Sequence, residues 1–131
     1  MATPTLVELI KEHGYRRLEN PVRLASGTMS YDYVDAKRAI AEGGDTYRVV
    51  CLAAITLAAQ IGIDFTAVGG KTMGADPLAH GISLLAATKW VSVRSQPKGR
   101  GLDKWIEGAH LTADDKVLLV DDVVTTGGSV M

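Results

Sequence analysis

The first hydrophobic pattern in the chain predicts a short amphipathic helix. Leu6, Leu9 and Ile10 recur at a spacing that places them on one helical face. The Thr3-Pro4 pair offers an N-cap and a proline at the first helical position, and Gly14 interrupts the pattern. We therefore expect a helix between Thr3-Pro4 and Gly14.

An alternating pattern then predicts two extended segments. Val22 and Leu24 flank the polar Arg23, and a second extended pattern covers residues 31–35. The Ala-Ser-Gly-Thr stretch at 25–28 between them consists of small and turn-forming residues. The pattern therefore predicts a hairpin.

A long apolar helix is predicted next. Asp45 is a candidate N-cap, and Gly62 follows the last apolar turn. The apolar positions cover most of the helical circumference and include Val49, Leu52, Ile55 and Leu57. Because a helix that is apolar nearly all round is typical of a protein interior, we expect this helix to be buried.

Three short aliphatic segments predict a parallel sheet. They cover residues 65–68, 90–94 and 117–120, and a helix that starts at Asp76-Pro77, as N-cap and first residue, runs to Ala87 between the first two. Such an alternation indicates an α/β fold with an open parallel sheet and flanking helices. At 131 residues the chain has the length of one domain. We divide it into an N-terminal hood formed by the first helix and the hairpin, residues 1–40, and a core, residues 41–131.

Composition and charge exclude several classes of protein. Hydrophobic residues make up 47% and charged residues 22% of the chain, as in globular and not in disordered proteins. The net charge of −1 gives no general attraction to nucleic acid or to anionic membranes. Cys51 is the only cysteine, which excludes an intramolecular disulfide. The N-terminus does not have the pattern of a signal peptide, and the apolar run 49–61 does not have that of a membrane span. We therefore expect a cytoplasmic protein with no nucleic-acid or membrane partner.

Loops of unusual composition follow all three core strands. They cover residues 69–74, 94–101 and 121–129. In open α/β sheets the ligand binds outside the carboxyl ends of the strands. We therefore expect the three loops to face one crevice.

The strongest chemical signal follows the last strand, where Asp121-Asp122 precedes a turn rich in Thr, Gly and Ser. Gly127 and Gly128 let backbone amides approach a ligand closely, and the start of a helix adds partial positive charge, so the turn is suited to bind phosphate. Two carboxylates would repel a phosphate unless they bind hydroxyl groups or a hydrated cation. The carboxylate pair and the turn together indicate a sugar phosphate that binds with Mg²⁺.

The stretch from Leu118 to Ser129 resembles the phosphoribosyl pyrophosphate (PRPP) signature of type I phosphoribosyltransferases. The resemblance implies that Asp121 and Asp122 bind the ribose hydroxyls, with Mg²⁺ held nearby through PRPP and water. The residues that it places around the 5′-phosphate are Val123, Val124, Thr125, Thr126, Gly127, Gly128 and Ser129. The alternative is an acidic strand end followed by an ordinary glycine turn.

A basic segment makes the family resemblance more specific. Residues 93–101, followed by the Ile-Glu-Gly of 106–108, are similar to the mobile catalytic loop and the returning strand of orotate phosphoribosyltransferases. Such a loop is suited to close over a polyanion and to exclude water. The resemblance implies that Lys98 is the catalytic cation, that Arg94 and Arg100 support it, and that all three bind PRPP. The alternative is a solvated basic loop.

The N-terminal hairpin resembles the same family. Residues 24–35 look like its Ser-Gly-x-x-Ser-x-x-Tyr-x-Asp segment. The resemblance implies that Tyr33 and Val34 line the orotate pocket, together with Thr125. Taken alone, the segment predicts only a hairpin.

The loop before the second core helix also resembles the family. Residues 69–79 are similar to its pyrophosphate loop and the helix that follows, which implies that Thr72 and Met73 bind PRPP. A glycine turn before a capped helix is the alternative. Several positions depart from the family pattern: Ala25, Met73 and Ser95 stand where a basic residue is common, and Arg100 replaces a frequent His. Whether Lys71 compensates is left open by the sequence.

The resemblance as a whole implies an orotate phosphoribosyltransferase. Such an enzyme transfers ribose 5-phosphate from PRPP to orotate, gives orotidine 5′-monophosphate and pyrophosphate for pyrimidine synthesis, and works with Mg²⁺ as a homodimer with shared active sites. The alternatives are a PRPP-sensing regulatory protein without catalysis and a phosphoribosyltransferase for another base. Because the family pattern continues beyond Met131, we expect a C-terminal part that this chain does not contain.

Overall fold

The computed structural model describes residues 4–96 and 105–123, which form two sheets with flanking helices. In chain order the elements are α1 (Leu6–His13), β1 (Tyr15–Arg23), β2 (Met29–Val34), α2 (Ala36–Ala41), α3 (Gly44–Gln60), β3 (Ala67–Lys71), α4 (Asp76–Ala86), β4 (Lys89–Val93), β5 (Ile106–Gly108) and β6 (Val117–Val120). Strands β1 and β2 form one sheet, and the other four form a second sheet in the order β5-β4-β3-β6. Within the described ranges, no helix is long and apolar enough to cross a membrane.

Helix α1 begins later than predicted. Its N-cap is Thr5, whose side chain accepts a hydrogen bond from the Glu8 amide, while the Glu8 carboxylate accepts one from the Thr5 amide. This reciprocal pair satisfies two amides at the helix start, and so Thr5 takes the place of the predicted Thr3-Pro4 cap. Gly14 ends the helix as predicted, and its amide donates to the Ile10 carbonyl.

The predicted hairpin is confirmed, although its first strand starts earlier than the alternating pattern. Strands β1 and β2 pair antiparallel, with Tyr15 opposite Val34. Asp32 on β2 accepts hydrogen bonds from the Tyr15 hydroxyl at 2.5 Å and from the Arg17 guanidinium at 3.0 Å. These cross-strand contacts stabilise the end of the hairpin that lies away from its turn.

Helix α3 is buried along one side only. Gly43 is its N-cap residue and Asp45 lies in its first turn, so the predicted Asp45 cap is wrong. The side chains of Leu52 and Leu57 are 44% and 57% exposed, which also contradicts the predicted burial all round. The physical reason is that α1, α2 and α4 contact α3 but, within the described residues, do not cover the side that carries Leu52 and Leu57. The buried residues of α3 are Thr46, Cys51 and Ala58.

The core sheet is mixed, with mostly parallel strands. Strands β4 and β6 flank β3 and run parallel to it, as predicted, whereas β5 pairs antiparallel with β4. The α/β class with an open sheet is therefore confirmed, and the antiparallel edge corrects the purely parallel arrangement. Strand β3 covers 67–71 instead of 65–68, and β4 covers 89–93 instead of 90–94.

Side chains along β3 alternate between the two faces of the sheet. Val68 lies in the hydrophobic core with Leu78 of α4. On the opposite face, a Cβ added to Gly69 would lie 3.1 Å from Leu119 and 3.2 Å from Val91. Even-numbered positions of β3 and β6 therefore face the helices, and odd-numbered positions face away from them.

Candidate functional site

The carboxyl ends of β3, β4 and β6 meet at one edge of the core sheet. Gly70 is in register with Val120, and Lys71 is in register with Val93. Because the three strands are parallel, the β3–α4 loop, Arg94 and the Asp121-Asp122 pair all follow at the same edge. This placement agrees with the predicted crevice for residues up to 96 and from 105 to 123.

The two carboxylates leave β6 toward different neighbours. Asp122 approaches the β3–α4 loop: a Cβ added to Gly74 would lie 2.6 Å from the Asp122 Oδ2. Asp121 continues the odd-numbered face, and its Oδ1 accepts a hydrogen bond from the Asp122 amide at 2.9 Å. The pair therefore places one carboxylate against the loop and the other beside Lys71 on the neighbouring strand.

The electrostatics of this pair favour a bound cation or hydroxyl donor. Burial raises the pKa of Asp121 above its ordinary value, and the side-chain hydrogen bond with Asp122 and the charge of that residue raise it further. The hydrogen bond from the Asp122 amide and the positive charge of Lys71 lower this pKa. Two adjacent carboxylates in this environment are stabilised by any ligand that supplies positive charge or donates hydrogen bonds.

The β3–α4 loop is fixed at both ends and leaves two amides open. The Thr72 amide donates to the Val93 carbonyl at 2.8 Å, and the Ala75 amide donates to the Lys71 carbonyl at 3.2 Å. The Thr72–Met73 peptide is cis. Between these fixed points, the Met73 and Gly74 amides have no acceptor among the described residues, and Met73 is 73% exposed.

A hydrogen bond joins the start of α4 to the end of β4. Helix α4 has Ala75 as its N-cap residue, so Asp76 is its first residue and not the predicted cap. The Asp76 carboxylate instead accepts a hydrogen bond from the Ser92 hydroxyl at 2.8 Å. This contact fixes the helix start, and with it the β3–α4 loop, against the strand that leads to Arg94.

Arg94 is tied to the base of the basic segment. Its guanidinium lies 3.4 Å from the Glu107 carboxylate on β5 and donates to the Gln96 carbonyl at 3.3 Å. Its amide donates to the Trp105 carbonyl at 2.8 Å. The predicted returning strand is thus confirmed, and Arg94 lies where residues 95–104 leave and rejoin the sheet.

Not all predicted site residues can be located. Tyr33 and Val34 lie on β2 and are exposed, with the Arg16 guanidinium 5.9 Å from the centre of the Tyr33 ring. Val123 is described and is 47% exposed. The predicted residues outside the described ranges are Lys98, Arg100, Val124, Thr125, Thr126, Gly127, Gly128 and Ser129.

The donor set at the strand ends fits indirect binding of Mg²⁺. In residues 4–96 and 105–123 no group of three or more His, Cys, Asp or Glu side chains could hold a metal by itself. Asp121 and Asp122 supply carboxylate oxygens, which Mg²⁺ prefers, and this ion commonly completes its coordination with water and substrate phosphates. Two carboxylates therefore suit a metal that arrives with a phosphate ligand.

Comparisons with known proteins identify the family. No protein-family model matches the chain. The orotate phosphoribosyltransferase of Leptospira biflexa is 38% identical over 133 residues, which cover 96% of this chain and 70% of that protein. The chain belongs to the orotate phosphoribosyltransferase family. The family member from Thermococcus gammatolerans is 39% identical over 108 residues, and the chain spans only 56% of its length.

Solved structures of orotate phosphoribosyltransferases share the fold. The Mycobacterium tuberculosis enzyme in complex with PRPP superposes with a TM-score of 0.67 at 32% identity, over 95% of this chain and 66% of that one. The relatives that identify the family are phosphoribosyltransferases, which agrees with the predicted enzyme class.

Sequence reasoning missed several residues that build the site. The partner of Arg94, which is Glu107, and the contact between Asp76 and Ser92 depend on strand neighbours that are distant in the chain. Gly74 was recognised only as part of a motif, although its lack of a side chain is what lets Asp122 approach. Strand order supplies this information, and local patterns do not contain it.

Proposed function

We propose that this protein transfers the ribose 5-phosphate group of PRPP to orotate, giving orotidine 5′-monophosphate and pyrophosphate for pyrimidine synthesis. One observation carries the proposal: the Asp121-Asp122 pair at the end of β6 places Asp122 directly against the β3–α4 loop at Gly74. This contact brings a pair of hydroxyl-binding carboxylates to a loop with open amides, as a substrate with a ribose and a pyrophosphate requires. Membership of the family supports orotate as the acceptor.

The transfer breaks the bond between the anomeric carbon and pyrophosphate and forms one to a ring nitrogen of orotate. We assign Asp121 and Asp122 to the ribose hydroxyls and residues 123–129 to the 5′-phosphate. Thr72 and Met73 are assigned to the pyrophosphate, whose departing charge Arg94, Lys98 and Arg100 neutralise. Preorganised cations at a leaving group are the main electrostatic means of accelerating such a step.

Three further assignments belong to this proposal. Mg²⁺ enters with PRPP near the carboxylate pair, where it would neutralise pyrophosphate charge. Tyr33, Val34 and Thr125 line the orotate pocket. The enzyme is a cytoplasmic homodimer with shared active sites, and the buried free thiol of Cys51 is compatible with a reducing compartment.

The proposal is tested by combining a turnover assay with binding measurements. We expect PRPP-dependent consumption of orotate in the presence of Mg²⁺, and calorimetric PRPP binding that weakens when Mg²⁺ is removed or when Asp122→Asn is introduced. Asp114→Asn, a charge change at the opposite edge of the sheet, is the matched control. Binding of PRPP without turnover of any base would identify a PRPP sensor. Turnover of another base would show that the acceptor is not orotate. PRPP binding that does not depend on Mg²⁺ would contradict the proposed role of the metal.

A further inference from the structure

We propose that the N-terminus of α3 forms a second binding site, which takes the phosphate group of an organic phosphate monoester. The site is a pocket of about 470 Å³ between α1, the connection from α2 to α3, and the first turns of α3. None of its lining residues is one that we assign to PRPP or to orotate. The inference therefore goes beyond the proposed function and does not depend on it.

The start of α3 leaves backbone amides open toward this pocket. Gly43 is the N-cap residue of this 17-residue helix, and it provides no side-chain hydrogen bond to the first turn. The Asp45 and Thr46 amides have no acceptor among the described residues. Open amides and the partial positive charge of a helix N-terminus together favour the oxygens of a phosphate group.

A hydroxyl group in the pocket is also without a partner. Thr46 is only 3% exposed and lines the pocket, yet its side chain forms no hydrogen bond with any described residue. The fully buried side-chain oxygen that lacks a partner in this part of the chain is that of Thr88, so the Thr46 oxygen keeps some accessible surface. A hydroxyl that is almost buried and unpaired is stabilised by a ligand that accepts its hydrogen bond.

The charges around the pocket suit an anion with an organic group attached. Arg48 lines the pocket and, within the described ranges, forms no ion pair. Two carboxylates line it as well. Glu42 is balanced by Arg38, which lies 3.3 Å away, whereas the exposed Asp45 has no partner among the residues that the structure describes. Arg48 and the helix end attract the phosphate, and the Asp45 carboxylate can accept hydrogen bonds from hydroxyl groups of the same ligand.

The remaining walls explain why the ligand is larger than an inorganic ion. Pro4, Leu9 and Val49 supply apolar surface, and His13 of α1 lies among them. A pocket of about 470 Å³ has the size of a site for a small organic molecule. The apolar walls can therefore cover the organic part of a monoester while its phosphate lies at the helix start.

Two probes test the site in ¹⁵N-labelled protein by NMR titration: inorganic phosphate and phenyl phosphate. Both should shift the Asp45 and Thr46 amide signals in a saturable way, and phenyl phosphate should bind about ten-fold more tightly because the apolar walls cover its ring. Phosphate that binds at the crevice is recognised separately, because it shifts the Gly74 amide.

Variants identify the groups that bind the phosphate. Thr46→Val, which keeps the shape of the side chain, should weaken both probes about ten-fold or more, and Thr46→Ser should restore most of the affinity. Arg48→Met should weaken them by a similar factor. Asp45→Asn should strengthen inorganic phosphate, because a repelling charge is removed. Lys37→Met removes a positive charge from α2 outside the pocket and should change neither affinity.

Three outcomes overturn the inference. Shifts of the Asp45 and Thr46 amides that are absent, or that stay linear with probe concentration, would show that the helix start binds no phosphate. Equal affinities of Thr46→Val and the unsubstituted protein would remove the hydroxyl from the site. Equal affinities of the two probes would reject an organic monoester as the ligand. The titrations of the unsubstituted protein decide the matter if a variant does not fold.

Discussion

The Asp122 carboxylate packs against the backbone of Gly74, where an added Cβ would lie 2.6 Å from its Oδ2 and 3.0 Å from its Cγ. Gly74→Ala should therefore push the carboxylate and the β3–α4 loop apart. We expect PRPP affinity to fall by about ten-fold to 100-fold, because small displacements of substrate-positioning groups have effects of this size. Calorimetry measures the change, and Gly44→Ala, with no atom within 4 Å of the new Cβ, serves as the control. Unchanged PRPP affinity in Gly74→Ala would show that this contact does not position the site.

Acid stability depends on Asp115, which connects the amino ends of three strands. The Lys89 ammonium, the Thr112 amide and the Thr66 hydroxyl each donate to its carboxylate at 2.8 Å. The Lys89 hydrogen bond is the largest of the contacts that hold the pKa of Asp115 well below its ordinary value. A depressed pKa means that the stabilisation is present above the unfolded pKa of about 4 and is lost as the pH falls toward the folded pKa.

Thermal melts test this dependence on pH. Asp115→Asn should lower Tm near neutral pH and flatten the loss of Tm below about pH 4. Its neighbour Asp114 has no side-chain partner among the described residues, so Asp114→Asn should melt like the unsubstituted protein. Equal Tm values for both variants at neutral pH would contradict the role of Asp115.

The thiol of Cys51 should be unreactive in the native protein. Its side chain is 0% exposed, and burial raises the pKa of the thiol to about 11. Since the thiolate is the reactive form, alkylation by iodoacetamide at neutral pH should be more than about 100-fold slower in the native protein than in urea. Mass spectrometry of timed samples measures both rates. Fast labelling with an unchanged circular dichroism spectrum would contradict the burial.

Helices α3 and α4 approach each other closely at Gly81. A Cβ at this position would lie 2.3 Å from the Tyr47 ring and 2.5 Å from the Cys51 sulfur. Gly81→Ala should therefore decrease the free energy of unfolding by about 1–3 kcal/mol, as overpacking of a core does. Urea denaturation measures the change against Gly44→Ala, which adds the same methyl group to an open position of α3. A stability equal to that of the control would show that the Tyr47 ring moves aside freely.

The proposal that two subunits share each active site can be tested by complementation. Lys98→Ala and Asp122→Asn should each abolish most orotate turnover. In an equimolar mixture with subunit exchange, half of the dimers are heterodimers with one intact site, so about a quarter of full activity should return. Exchange is verified by native mass spectrometry. If exchange occurs and no activity returns, Lys98 acts within its own subunit or has no catalytic role.

Local patterns in the sequence predicted the elements that have strong signals. The aliphatic run of β6 was predicted with its observed bounds, and the hairpin was predicted from alternation around Arg23. Helix α2 was missed because it is short, although Asp35 caps it by accepting a hydrogen bond from the Arg38 amide. Caps were also misplaced at α1, α3 and α4, where neighbouring residues compete for the same role.

Burial and side-chain partners depend on which element packs against which, and local patterns lack this information. The exposed Leu57 on α3 has the same apolar character as the buried Ala58 beside it. At the site, the motif identified Asp121 and Asp122, but it did not show that the two carboxylates face different neighbours. That difference comes from pairing with β3, which is about fifty residues away in the chain.

Because successive side chains of β6 face opposite sides of the sheet, the number of residues in this short strand is as important as their type. Deletion of one residue between Val117 and Val120 would keep the aliphatic character of the segment but would exchange its two faces. After removal of Leu118, for example, Leu119, which is 53% exposed, would turn toward the helices, and each carboxylate would move back by one position along the strand. The carboxylate now against Gly74 would face Lys71 instead. Insertions and deletions in β6 should therefore abolish PRPP binding even where every residue type of the motif is retained.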